Sequence, residues 1–190
     1  MIRENPFQEV SLVRVPRVVP AYLTLEESRT LIEAVKIPML RAFYLFLSQT
    51  GARLGEGIGL QWDCVDMQRK VVSITQSKTG MTRLIPISDS LLACLYGLPR
   101  RSGYVFSKED GSPYHKTFVQ HHFKRVAKSM GLDSRLHPHS LRHSFASNLV
   151  KKNVSIFTVS QLLGHSSIQT SMIVAHLQTS ELHEVVNTLV

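Results

Sequence analysis

Val71-Val72-Ser73-Ile74-Thr75-Gln76-Ser77-Lys78-Thr79-Gly80-Met81-Thr82-Arg83-Leu84-Ile85-Pro86-Ile87 is where the pattern of this chain changes. Val71, Ile74, Leu84, Ile85 and Ile87 fall in two β-rich runs around the polar segment Ser77-Lys78-Thr79-Gly80, which predicts a hairpin or small antiparallel sheet with Lys78 at its turn. On both sides the sequence reads mainly as helix. Upstream, Leu54 to Leu60 forms a short helix with Trp62 packed beneath it, and Leu40, Phe43, Tyr44, Phe46 and Leu47 mark a buried helix that ends before Gly51. Further back, Thr24-Leu25-Glu26-Glu27 is a capping box that opens a helix to about Val35. Residues 1–20 carry Pro6, Pro16 and Pro20 without a helical period and read as a linker or arm.

Downstream, a short helix is expected near Leu91 to Tyr96 and a strand at Tyr104-Val105-Phe106. A turn at Asp110-Gly111-Ser112-Pro113 precedes a helix from about His115 to Met130. From His139 onward the reading is helical, interrupted at Asn153 and Gly164. The expected fold class is therefore mainly α with a small antiparallel β-sheet, one α+β domain over residues 21–190.

Length and composition agree with a single core: the chain has 190 residues, 43% of them hydrophobic. Lys and Arg number 22 against 14 Asp and Glu, which gives a net charge of +8 and favours a polyanionic partner over an acidic-substrate pocket. Cys64 and Cys94 are the two cysteines, in no CxxC spacing, so neither a disulfide framework nor a cysteine-built zinc site is expected. No apolar run reaches the roughly 18 residues of a membrane span and no signal peptide opens the chain, so a cytoplasmic location without membrane attachment is expected.

Metal-free phosphodiester transfer needs cations fixed around two non-bridging oxygens, a proton donor for the leaving hydroxyl and an aligned nucleophile. Arg53 stands at a helix start with Glu56 three residues later, where the carboxylate can hold the guanidinium in one orientation. His139 and Arg142, also three apart, place an imidazole and a guanidinium on one helix face, where together they can bind a phosphate. His165 follows Leu162-Leu163-Gly164, just past a predicted helix end, and can project into a cleft.

Four motifs in order, Thr50-Gly51-Ala52-Arg53-Leu54-Gly55-Glu56, Ser77-Lys78-Thr79-Gly80, His139-Ser140-Leu141-Arg142-His143 and Leu163-Gly164-His165, resemble the tyrosine recombinases, or phage integrases. The resemblance runs from Asn5-Pro6-Phe7, similar to that family's linker, to the C-terminus. It implies the tyrosine-recombinase catalytic-domain fold, acting on double-stranded DNA in site-specific recombination or integration without a cofactor. It further implies that Arg53 and Arg142 clamp the scissile phosphate and that His165 adds a hydrogen bond to the developing charge. Lys78 is implied as the general acid for the leaving 5′ oxygen, His139 as an aid to proton transfer at the nucleophile, and Glu56 as an orienting group. The family's N-terminal core-binding domain is absent from the reading, so an excised domain or a truncated product is expected.

One position departs from the pattern. In Ser166-Ser167-Ile168-Gln169-Thr170-Ser171-Met172-Ile173-Val174-Ala175-His176 the register puts Val174 where the family has its nucleophilic tyrosine. Valine has no nucleophilic atom, and Tyr22, Tyr44, Tyr96, Tyr104 and Tyr114 all precede the His139 motif. Cleavage and strand exchange are thus expected to be absent. A tyrosine removed on purpose is usually replaced by phenylalanine, so valine favours a natural change, by decay or by repurposing as a DNA-binding pseudo-recombinase.

Two rival readings belong to other classes. His139 and His143 have the i, i+4 spacing of zinc-binding helices, but no Glu follows the first histidine and Arg142 stands beside the second, a cation next to a dication. Residues Phe157 to Ala175 have the proportions of a helix-turn-helix regulator, which explains the charge but not the upstream Arg53, Lys78 and His139 motifs. Finally, Leu182, Val185, Val186 and Leu189 form an apolar stripe at helical spacing. By the resemblance, this last helix is expected to dock into a neighbouring protomer on DNA, with the chain monomeric in solution.

Overall fold

Tyr44, Phe43 and Phe46, three of the largest fully buried side chains, lie on one helix of the computed structural model, which describes residues 20–75, 80 and 82–164. That helix, α2 (Pro38–Thr50), follows α1 (Leu25–Glu33) and precedes α3 (Leu54–Ile58). A 3-10 turn (Trp62–Cys64) leads into β1 (Val65–Asp66), β2 (Val71–Thr75) and β3 (Thr82–Pro86). Then come α4 (Asp89–Tyr96), α5 (Lys116–Ser129), α6 (Pro138–Lys151) and α7 (Ile156–Leu163). The three strands form an antiparallel sheet in the order β1-β2-β3, as the alternation around residues 71–87 predicts.

Local chemistry sets the helix ends. Thr24 and Glu27 form the expected capping box: the Glu27 amide donates to Thr24 Oγ1 at 3.1 Å and the Thr24 amide to Glu27 Oε2 at 2.8 Å. Gly51 ends α2 at φ 63, and a Cβ there would lie 2.6 Å from Phe145 Cδ1 and 2.8 Å from Leu163 Cδ2. Only glycine meets both demands, so α2 stops against α6 and α7 and hands the chain directly to Arg53. Asn153 (φ 60) and Gly164 (φ 64) bound α7, as the breaks in the helical pattern indicate.

The core of α2 is extended by Phe106, edge-on to Phe43 with ring centroids 5.2 Å apart, and by Phe123 of α5, edge-on to Tyr44 at 5.5 Å. Tyr44 donates from its hydroxyl to the Val119 carbonyl at 3.0 Å, which satisfies the phenol and ties α5 to α2. The start of the described chain is stapled to α6, where the Leu23 amide donates to Ser144 Oγ at 2.7 Å and Asn148 Nδ2 donates to the Leu23 carbonyl at 3.3 Å. Ala146, Val150, Val159 and Leu163 form a second, smaller cluster between α6 and α7.

The expected strand Tyr104-Val105-Phe106 is not a strand. Tyr104 makes one isolated bridge to Gln61, Val105 donates its amide to the Leu60 carbonyl at 2.9 Å, and the buried Val105 and Phe106 plug the core. The β-forming side chains are used for burial, and among the described residues no partner strand runs alongside them. Trp62 is half-buried against the core, with the Arg100 guanidinium over its ring at 4.7 Å. Among the described residues, no helix is long and apolar enough to cross a membrane.

Candidate functional site

Arg53 is the residue immediately before α3, set there by the Gly51 turn. Its backbone amide donates to Glu56 Oε2 at 2.6 Å and its Nη1 donates to Glu56 Oε1 at 2.9 Å, so one carboxylate caps the helix and holds the guanidinium. This is the i, i+3 orientation expected from the sequence. The other face of the carboxylate is taken by Arg83 of β3, whose Nη1 and Nη2 donate to Oε1 at 3.1 Å and to Oε2 at 2.7 Å. Glu56 therefore sits between two guanidiniums, with its side chain 13% exposed, Arg83 9% and Arg53 41%.

Burial alone would raise the Glu56 carboxyl, but the hydrogen bonds from Arg83 and then Arg53 outweigh it and hold the carboxyl down at about 2. A carboxyl depressed in the folded state stabilises it fully above its ordinary value near 4.5, and that contribution is lost as the pH falls through about 2. The difference amounts to roughly 3 kcal/mol. Urea midpoints measured between about pH 6 and about pH 2.5 should fall steeply in the parent and less in Glu56→Gln. Parallel acid limbs for the two proteins would show that Glu56 is not held this way.

Arg142 lies on α6, only 4% exposed. Its Nη1 donates to the Gly51 carbonyl at 2.6 Å and its Nη2 to the Leu163 carbonyl at 2.7 Å. The guanidinium thus joins the C-terminal ends of α2 and α7, close to Arg53. Burial first, and then the nearby charges of Arg53 and Arg83, bring it down to about 9.

His139, one turn earlier on α6, is packed edge-on against His143 at 5.1 Å and stacked on His137 at 6.3 Å. Burial first, and then His143, Arg142, His137 and Arg53, push its imidazole down to about 4, so it is neutral at neutral pH and able to accept a proton. His143 is lowered by burial and then by His137 and Arg142. Among the described residues, no group of three or more His, Cys, Asp or Glu side chains is placed to hold a metal ion.

Arg53, Glu56 and His139 line one open cleft of about 1200 Å³, while Arg142 is buried beside it. The opposite wall is α5, which presents Lys116, Gln120, His121 and Lys124, and the sheet contributes Ser73, Ile74 and Thr75. Glu56 is the single acidic residue of that lining among the described residues, and it is already paired with two arginines. An anion entering the cleft would meet cations and imidazoles with no free carboxylate to repel it.

Lys78, His165 and Val174 lie outside the described residues, as do residues 1–19, the second helix of the helix-turn-helix reading and the C-terminal stripe from Leu182 to Leu189. Sequence reasoning missed Arg83 and the α5 cations. The signal for Arg83 was strand parity: it shares the inner face with Ile74 and Ile85, whereas Leu84 points outward at 61% exposure. Lys116, Gln120 and Lys124 repeat every four residues along one face of α5.

A family model described as "Phage integrase family" matches residues 21–181. The tyrosine recombinase XerC of Xanthomonas campestris pv. campestris is 32% identical over 193 residues, covering 97% of this chain and 60% of its own length. A tyrosine recombinase of Thermosipho africanus is 29% identical over 195 residues, covering 100% of this chain and 69% of its own. In three dimensions the chain is similar to the crystal structure of XerA recombinase, with a TM-score of 0.76 at 25% identity over 94% of this chain and 66% of that one. A structure of the Tn1549 transposon integrase in complex with a circular intermediate DNA shares the fold, with a TM-score of 0.79 at 18% identity over 90% of this chain and 67% of that one. The chain spans about 60% of the length of the first XerC relatives it matches.

Proposed function

Since the chain belongs to the phage integrase family of tyrosine recombinases, we propose that its cleft receives the phosphodiester backbone of double-stranded DNA as a site-specific recombinase catalytic domain over residues 21–190. The observation that carries this reading is the composition of the cleft: the Arg53 guanidinium held by Glu56, lysines and imidazoles around it, and one acid already neutralised by two guanidiniums.

In this reading Arg53 and Arg142 take the two non-bridging oxygens of the scissile phosphate, because planar guanidiniums match them in forked hydrogen bonds. Arg142 spends one N–H of each Nη on a carbonyl, which leaves further donors on a guanidinium buried beside the cleft. Glu56 fixes the orientation of Arg53. His139, neutral and within the same cleft, accepts the proton of the attacking group. Lys78, as general acid for the 5′ oxygen, and His165, as a further donor to the developing charge, complete the set by their positions in the sequence. Val174 stands at the place of the nucleophile, so the chain holds the phosphate and does not cleave it. Its partner is duplex DNA, on which copies associate through the C-terminal helix.

Binding should be salt-sensitive, because each neutralised phosphate releases condensed counterions. Arg53→Ala should reduce affinity for a duplex oligonucleotide about tenfold at about 0.1 M salt and lower the dependence of log K on log salt by about one, whereas Arg69→Ala on the far β-turn should change neither. Fluorescence anisotropy at matched salt reads both. Equal binding by Arg53→Ala and parent would remove Arg53 from the clamp.

The depressed imidazole of His139 adds a pH signature. A phosphate beside it raises its pKa from about 4, so complex formation takes up a proton and affinity rises as the pH falls from about 7 to about 5. His139→Gln should flatten that rise, and a parent whose affinity ignores pH over this window would argue against the placement of His139 at the phosphate.

A further inference from the structure

Arg83 has no phosphate contact in the preceding reading. Its side chain is 9% exposed, it is not part of the cleft lining, and both of its Nη atoms are committed to Glu56. Its Nε–H is buried without a hydrogen-bond partner among the described residues, so the side chain is held where it is by the carboxylate and by nothing else that is polar. A guanidinium placed at such cost on the apolar face of a strand, directly paired with Ile74 and two residues before Ile85, calls for a reason beyond folding.

Charge supplies one. Arg53, Glu56 and Arg83 together carry one net positive charge. With Arg83 removed, Glu56 and Arg53 become a closed ion pair of net charge zero, and a phosphate would have to compete with the carboxylate for the same guanidinium. The neighbouring strand thus provides the counter-ion that lets Glu56 orient Arg53 without cancelling it. We infer that Arg83 is a positioning residue for DNA phosphate binding: it neutralises Glu56 from the buried side, so that the charge of Arg53 stays directed into the cleft. This inference rests on the phosphate-clamp reading of the cleft.

The test is a salt titration of duplex binding by fluorescence anisotropy, with melting temperatures measured alongside so that every variant is compared while folded. Arg83→Met should lower the slope of log K against log salt by about 0.9, as if one phosphate contact were lost, and weaken binding several-fold at about 0.1 M salt. Arg83→Lys keeps the counter-charge and should keep the slope. The double variant Glu56→Gln/Arg83→Met removes both charges and should regain the parent slope even though a buried arginine is gone. Should Arg83→Met be unfolded under assay conditions, Arg83→Gln, which keeps an N–H donor for Glu56 without the charge, is read in its place and should show the same lowered slope.

A purely structural arginine would lower the melting temperature and leave all these slopes equal, which would overturn the inference. Arg53→Met, run in the same series, separates the two levels. A reduced slope for Arg53→Met with an unchanged slope for Arg83→Met removes the role of Arg83 alone. An unchanged slope for Arg53→Met removes the phosphate clamp, and this inference with it.

Discussion

Arg142→Ala is expected to destabilise the fold by about 3–5 kcal/mol, because truncation leaves the buried Gly51 and Leu163 carbonyls without their donors and opens a cavity between α2, α6 and α7. For a chain of this length that corresponds to a fall in melting temperature on the order of 10 °C. Arg142→Lys should lie between the two, since an ammonium on a flexible stem cannot span both carbonyls in the plane a guanidinium fork occupies. Thermal and urea unfolding monitored by circular dichroism measure this directly, and a loss of under about 1 kcal/mol would mean that the two carbonyls are not tied by Arg142.

The same guanidinium that is proposed to hold the phosphate also holds the C-terminal end of α7 through the Leu163 carbonyl. Loss of DNA binding in Arg142→Ala therefore mixes a missing contact with a loosened scaffold. Arg53, with its side chain 41% exposed and its amide capped by Glu56, reports on phosphate contact with less disturbance of the core.

What could be read from the sequence was local. The Thr24 capping box, the Gly51 stop, the Arg53–Glu56 pair and the break at Asn153 all depend on neighbours within four residues, and all are present as the sequence implies. The hairpin followed from alternation within each strand. The carbonyl partners of Arg142 lie 91 and 21 residues away, and no spacing rule reaches that far. Arg83 was legible only by parity, since its Glu56 partner is 27 residues upstream on a helix. Tyr104-Val105-Phe106 misled because β-forming side chains describe a preference for burial as well as for pairing, and here burial against Phe43 and Phe46 took them.

The second large effect concerns the nucleophile. In the proposed reading the site has its arginines, its neutral imidazole and its orienting carboxylate, and Val174 stands where the attacking group is needed. Holding the phosphate in place supplies most of what alignment can contribute to the barrier, but without a tyrosine no covalent link conserves the energy of the broken bond for religation. Val174→Tyr should therefore convert a binding protein into a cleaving one. On a duplex nicked so that the fragment beyond the scissile phosphate diffuses away, the tyrosine oxygen forms a bond to phosphorus, the 5′ oxygen leaves with a proton, and the adduct cannot reverse. Adduct formation by Val174→Tyr should in turn depend on Arg53, so that Arg53→Ala in the same background reduces the rate by on the order of a hundredfold or more.

The decisive measurement is the yield of covalent protein–DNA adduct on that nicked duplex, resolved on a denaturing gel, for the parent and for Val174→Tyr at concentrations where anisotropy shows both to be bound. An adduct with Val174→Tyr and none with the parent is the predicted result, and it would establish a recombinase centre complete except for its nucleophile. No adduct from a fully bound Val174→Tyr protein would contradict that account and leave the cleft as a DNA-binding surface alone.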